Sequence, residues 1–259
     1  MMKAKLLFRC FTAIILLTLF TFAAVPNAEA LMLISQKDEI RIGKQVEEDV
    51  IKRYGGLSED RDLIQRVERV GSSVAANSKR KGIEFTFKVL NSKEINAFAA
   101  PGGPVLITKA LAQKLDTDDE LAFVLAHEVG HIEAQHGRKA INEALIASGI
   151  ASILLRDANE SARLGVDIIY TLHSRGYSRR NEFEADRYGV DFMIKSGYNP
   201  EGAIIALAKL GLDRVSGVSK YFSTHPDTPD RIDRVAKRAE VDNDRKKELI
   251  LDVNPDAKV

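Results

Sequence analysis

The sequence predicts an α+β fold, predominantly helical, with a small β-hairpin or sheet beside one central helix. Three observations predict it. Apolar residues recur at helical spacing over long stretches, as Leu63, Val67, Val70 and Val74 do. Phe85, Phe87 and Val89 alternate like a half-buried strand, and 95–100 and 105–108 flank a Pro-Gly-Gly-Pro turn. Beyond the turn lies a strongly apolar helical segment that carries two histidines and a glutamate, groups that cost free energy to bury without partners.

Taken in order, the chain opens on Lys3, Lys5 and Arg9, an uncharged and mostly apolar run over 11–25, and Ala28-Glu29-Ala30. This is the pattern of a cleavable export signal, so 1–30 is expected to leave and Leu31 to begin the mature chain. The run is shorter than the ~20 residues a bilayer span needs. An uncleaved N-terminus that stays as an inner-membrane anchor is the alternative. Cys10, the single cysteine, leaves with the signal, so there is no disulfide framework. Helices are expected over 36–54 and 59–77, then the strand and hairpin. Asp116-Thr117-Asp118-Asp119-Glu120 starts the central helix, about 117–136, with Thr117 and Glu120 as a capping box. Leu121, Val124, Leu125 and Ile132 form its apolar face, and Gly137 is placed to end it. Two helical segments fill 138–172, and a helix over 178–196 ends at Gly197. Pro200 and Pro229 are each placed to open a further helix at its first position. The polar stretch 241–259, with Arg245-Lys246-Lys247, is expected to fray after a final short helix. The organisation is thus a signal over 1–30, one domain over 31–240 and a polar tail over 241–259. A net charge of +1 offers no argument for nucleic acid as a partner.

The chemistry is concentrated in His127-Glu128-Val129-Gly130-His131. Imidazoles four residues apart lie on one face of a helix, one turn from each other. That spacing lets both bind one zinc ion at ~2.0–2.1 Å. Glu128 sits about 100° round the helix, beside the metal, where a carboxylate can take a proton from water. A catalytic zinc keeps three protein ligands. His136, His173 and His225 remain. The pattern HExxHxxGxxH would need Gly at 134 and His at 137, where this chain has Ala134 and Gly137. His136 lies about 140° round the helix from His131 and reads as a surface or second-layer histidine.

A carboxylate is the other source of a third ligand. In the helix over 178–196, Glu182, Ala185, Asp186, Gly189 and Met193 share one stripe, while Glu184, Arg187, Asp191 and Lys195 lie round the other side. Glu184 therefore reads as a solvated charge. Glu182 and Asp186 are carboxylates one turn apart facing the core, and like charges there need a cation or donors opposite. Zinc for Glu182 and a ligand imidazole N–H for Asp186 would satisfy both. An arginine or lysine, such as Arg179, is the alternative.

HEVGH followed by SRRNEFEAD resembles the gluzincin metallopeptidases of the HtpX, BepA and Ste-type CAAX-protease group, and in particular its small soluble periplasmic members. Asn96-Ala97-Phe98-Ala99-Ala100-Pro101-Gly102-Gly103 resembles the strand-turn-strand ahead of that family's active-site helix, and Ser223-Thr224-His225-Pro226 with 227–232 resembles its later His-Pro segment. The likeness runs from about 35 to about 240. It implies a zincin-like catalytic domain binding one Zn2+, with His127, His131 and Glu182 as ligands, Glu128 as general base and Asp186 behind the ligands. His225 would reach the metal from a loop, as a transient fourth ligand or as a donor to the transition state. Asn96, Ala97, Phe98 and Ala99 would bind extended substrate. The chain departs from HtpX and the Ste-type enzymes in lacking multiple membrane spans, and from BepA in lacking a helical-repeat extension. The expected activity is a zinc endopeptidase of the periplasm acting on unfolded or misassembled envelope proteins, with peripheral membrane association left open. A metal-binding chaperone or scaffold with little proteolysis, and a hydrolase of a non-peptide substrate, are the rivals.

Overall fold

A computed structural model describes residues 33–148, 158–216, 225 and 230–257. The chain divides into two units, Met1–Leu33 and Ile34–Val259. The export signal read over 1–30 lies outside the described residues, and every described helix and strand belongs to the second unit. No helix among the described residues is long and apolar enough to cross a membrane.

Two capped helices come first. Ser35 accepts a hydrogen bond from the Asp38 N–H and opens α1 (Gln36–Arg53). Asp60 accepts from the Leu63 N–H and opens α2 (Arg61–Ala75), which buries Leu63, Val67, Val70 and Val74 as their spacing predicts. A three-stranded sheet comes next: β1 (Thr86–Leu90), β2 (Ala97–Ala99) and β3 (Pro104–Thr108), in the order β1-β3-β2. The predicted hairpin is present as the antiparallel pair β2–β3, with Ala97 opposite Ile107 and Ala99 opposite Val105. Gly102 at φ 79° and Gly103 at φ 131° make its turn, in backbone regions that disfavour a side chain. β1 joins in parallel on the other side of β3, with Phe87 opposite Val105 and Val89 opposite Ile107. Every residue of β3 is buried, which suits a central strand covered on both faces. At its end the Thr108 hydroxyl accepts from the Asn96 and Leu111 N–H groups and donates to the Asn96 carbonyl. One buried hydroxyl thus ties β2 to β3 and caps α3 (Lys109–Lys114).

Thr117 caps α4 (Asp118–Glu133) through the Glu120 N–H, as expected. The Glu120 carboxylate returns to the Thr117 hydroxyl and to the N–H of Asp116. From Glu120 to Ile132 every residue of α4 is buried, which makes it the central helix, enclosed all round. Its C-terminus departs from expectation. Ala134 caps it, and Gln135, at φ 59°, takes the left-handed turn assigned to Gly137. Gly137 lies inside the next helix, α5 (His136–Ser148). The break comes early because distant groups hold the last turn: Arg80 Nη1 donates to the Ile132 carbonyl at 2.6 Å, and Glu133 accepts from the Ser78 hydroxyl and the Lys79 N–H.

Then come α6 (Ala158–Arg175), α7 (Arg179–Lys195) and α8 (Glu201–Ser216). Ser178 caps α7 and Gly197, at φ 84°, stands just past its end, both as the sequence indicates. Pro200 stands one residue ahead of α8, where the Asn199 side chain accepts from the Glu201 N–H. Pro229 lies outside the described residues, and α9 (Asp230–Arg238) begins at the next position. The polar C-terminal stretch holds its short helix, α10 (Asn243–Val253), and that helix is anchored. Asp242 caps it, Leu249 is buried in the main apolar cluster, and Arg245 pairs with Glu201 of α8.

Candidate metal centre

The site forms where α4 lies directly against α7. Gly130 makes that approach possible, because a Cβ there would sit 2.9 Å from the Ala185 carbonyl oxygen and 3.0 Å from Tyr188 Cβ. With the backbones this close, His127 and His131 on one helix face Glu182 and Asp186 on the other. His225 completes the group. One ligand atom from each of His127, His131, Glu182 and His225 lies within 4.8 Å of the others, and all four residues are buried.

The spacing fits a small cation. His127 Nε2 is 3.1 Å from His131 Nε2 and 3.2 Å from His225 Nδ1. Glu182 Oε1 is 3.2 Å from His225 Nδ1 and 3.5 Å from His131 Nε2, and Oε2 is 3.6 Å from His127 Nε2. Ligand atoms held at ~2.0–2.1 Å by a tetrahedral ion stand about 3.3 Å apart. His127 Nε2 faces two other ring nitrogens yet can share at most one proton, so lone pairs converge unless a cation lies among them. Burial pushes His127 and His131 below the usual histidine range, and burial with the Arg231 charge takes His225 to about 3. Burial thus favours the neutral form of all three rings, the form that binds metals. Burial pushes Glu182 up to about 7, against the pull of the Arg231 charge.

Glu128 stands beside this group. Its carboxyl is fully buried, its Oε1 is 3.3 Å from His225 Nε2, and neither oxygen makes a hydrogen bond among the described residues. Burial, then the neighbouring Glu182 charge, pushes it well above the ordinary carboxylate range. A carboxylate with open lone pairs in an apolar setting is ready to accept a proton.

Behind the group, Asp186 Oδ1 accepts from His127 Nδ1 at 2.9 Å. This holds the His127 ring with Nε2 turned to the cluster. The alternative partner expected for the two carboxylates is also present, but it is Arg231, at the start of α9, and the exposed Arg179 is not involved. Arg231 Nε and Nη2 donate to Asp186 at 2.8 and 2.7 Å, and its Nη1 lies 3.1 Å from Glu182 Oε2. Burial alone would raise Asp186; the Arg231 charge and the hydrogen bonds from Arg231 and His127 outweigh it and hold the carboxyl well below its usual range. Arg231 is 0% exposed, and no sequence pattern marked it, because arginine on a short polar helix normally faces water. The one available signal was its place in the segment after His225.

Other positions need correction. Of the two readings of His136, the surface one falls and the second-layer one stands: it is 3% exposed, with Nδ1 2.9 Å from His131 Nδ1. Glu184 is only partly solvated and lies 3.4 Å from His136 Nε2. Tyr177, unmarked by any motif, lays its ring over His131 with centroids 4.0 Å apart. The His173 side chain lies outside the described residues. Of the four expected substrate residues, Asn96 turns its side chain inward, where it accepts from the Ala97 N–H and donates to the Tyr54 hydroxyl at 3.4 Å. Phe98 packs edge-on against Tyr54. Thr108 N donates to the Asn96 carbonyl and Ala100 N to the Pro104 carbonyl, so the polar backbone groups of 96, 98 and 100 face β3. By strand alternation, those of Ala97 and Ala99 face the open edge of the sheet.

Residues 61–239 match the model of the family described as Peptidase family M48. The chain is 34% identical over 190 residues to the beta-barrel assembly-enhancing protease of Yersinia pestis, covering 68% of this chain and 39% of that protein. It is 31% identical over 169 residues to the mitochondrial metalloendopeptidase OMA1 of Arabidopsis thaliana, 64% of this chain and 34% of that one. To the metalloprotease LoiP of Escherichia coli (strain K12) it is 27% identical over 189 residues, 70% and 72% of the two chains. The chain thus spans about two fifths of the first relative's length. The matched span runs from α2 to α9 and takes in the whole of the His127, His131, Glu182 and His225 cluster, and on both grounds the chain belongs to peptidase family M48, a family of metallopeptidases.

Proposed function

We propose that this protein is a zinc-dependent endopeptidase, with one zinc ion per chain, that cleaves unfolded or misassembled proteins of the cell envelope. The observation that carries the reading is the convergence of His127, His131 and Glu182 with the buried carboxylate of Glu128 beside them, 3.3 Å from His225 Nε2. Three imidazoles and a carboxylate suit zinc's preference for nitrogen and oxygen ligands. Zinc held by His127, His131 and Glu182 would supply Lewis acidity to the scissile carbonyl and to the attacking water. Glu128 accepts the proton of that water and hands it to the leaving amine. Asp186 keeps the His127 proton on Nδ1, and Arg231 offsets one of the two charges of the carboxylate pair. Extended substrate pairs with the Ala97 carbonyl and the backbone of Ala99 along the edge of β2, the Ala97 N–H being taken by Asn96 Oδ1. Main-chain pairing of this kind accepts many sequences, which suits unfolded clients. The envelope role is supported by the name of the beta-barrel assembly-enhancing protease, and export by the N-terminal pattern.

Digestion of an unfolded protein such as casein, with and without a zinc chelator, tests the reading. The protein is expected to degrade casein, lose the activity with chelator and regain it with zinc. Binding of casein without cleavage in any metal state would favour the chaperone or scaffold instead, although a scaffold has no use for Glu128. His225 gives a second expected result. Its Nδ1 lies among the ligand atoms and its Nε2 beside Glu128. In that position it can close the site as a fourth ligand; swung aside, it can donate to the oxyanion. His225→Ala is expected to keep stoichiometric zinc yet change turnover at least several-fold. Unchanged kinetics on both a short peptide and an unfolded protein would remove His225 from the mechanism.

A further inference from the structure

We propose that His136 is a positioning residue that fixes the tautomer of His131, through a hydrogen-bond chain running His131–His136–Glu184 from the metal centre to the surface. The role of His131 in this proposal rests on the metal-binding function proposed for the site, but the chain itself comes from geometry. His131 can turn a lone pair of Nε2 toward the ligand cluster only if its proton is on Nδ1. Nδ1 faces His136 Nδ1 at 2.9 Å. Two ring nitrogens at that distance are a donor and an acceptor, so His131 donates and His136 accepts. The remaining proton of a neutral His136 is then on Nε2. That nitrogen faces Glu184 Oε2 at 3.4 Å, and a carboxylate can only accept. Every proton on the path is assigned, and no member is spare.

The two ligand histidines are thus supported differently. His127 is backed by a carboxylate and an arginine, both buried. His131 is backed by a neutral imidazole, and only the far end of its chain carries charge. That end opens outward: Glu184 has a side chain 36% exposed and lines a groove with Lys139, Glu143 and Arg180, into which His136 also faces. Tyr177 covers the His131 ring on another side, which leaves Nδ1 with His136 as its partner.

The test uses the full chain and three variants. His136→Leu removes the acceptor. His136→Asn restores one, since Asn Oδ1 sits close to where Nδ1 was. Glu184→Ala removes the outer end. Zinc affinity is measured by competition with a chelator of known affinity, and the electronic spectrum of the cobalt-loaded protein reports the ligand field without any turnover. His136→Leu is expected to weaken zinc binding about 10–100-fold and shift the cobalt bands, with His136→Asn recovering most of both. Glu184→Ala should lose only several-fold. Wild-type affinity in His136→Leu, or equal losses in the Leu and Asn variants, would overturn the proposal, the second because it indicates packing alone. The ¹⁵N ring shifts of His136 in the metal-free wild type test the chain independently of zinc: a protonated Nε2 and bare Nδ1 are expected, and the opposite tautomer sinks the relay. A wild type that binds no zinc would sink the metal reading while leaving the tautomer result to stand by itself.

Discussion

Glu128→Gln is expected to hold a full complement of zinc and to lose peptidase turnover by about 10²-fold or more. The substitution keeps the size of the side chain and removes its basicity. It is accommodated because Glu128 already lies fully buried in α4, between Gly130 and an unbroken run of buried neighbours. The amide oxygen can take the place of the present Oε1, 3.3 Å from His225 Nε2, which carries the ring proton when Nδ1 faces the ligand cluster. None of the ligand atoms belongs to Glu128, so metal content should not fall. Metal analysis and peptide turnover on the same preparation separate the two effects. Normal turnover by a zinc-loaded variant would remove Glu128 from the mechanism.

Glu182→Ala is expected to lose zinc while the domain stays folded. Glu182 supplies the anionic atom of the cluster, and without it neutral imidazoles alone would have to hold a dication. The fold survives because Arg231 keeps two hydrogen bonds to Asp186 when Glu182 is gone, so no buried charge is stranded. Asp186→Asn is the complementary variant. It leaves Glu182 in place and weakens zinc binding by about 10–100-fold through the orientation of His127. Thermal melts of the metal-free proteins, set beside their metal content, distinguish loss of a ligand from loss of structure. A Glu182→Ala protein that retains one zinc per chain, when Glu184→Ala does not, would reverse the assignment of the third ligand.

Local geometry explains how much of this site was legible beforehand. A helix converts spacing into direction, so a step of four residues from His127 to His131, and again from Glu182 to Asp186, was enough to place each pair on one face. The hairpin was legible because Pro-Gly-Gly-Pro leaves the backbone few other options. Thr117 and Ser178 marked their helix starts for the same local reason: a side-chain oxygen satisfies a backbone N–H a few residues away.

Periodicity names a face but not its partner, and that is where tertiary structure decided. The sequence by itself determined an α+β, mostly helical chain and the candidate residues proposed to hold a metal and move a proton. Only the packed structure brought β1 alongside β3, moved the end of α4 from Gly137 to Gln135 through Arg80 and Ser78, and turned Asn96 inward. It also buried Arg231 and His136, two residue types that hydropathy assigns to water. Their burial is favourable only where partners stand ready, Asp186 and Glu182 for one and His131 for the other, and those partners come from helices far apart in the chain.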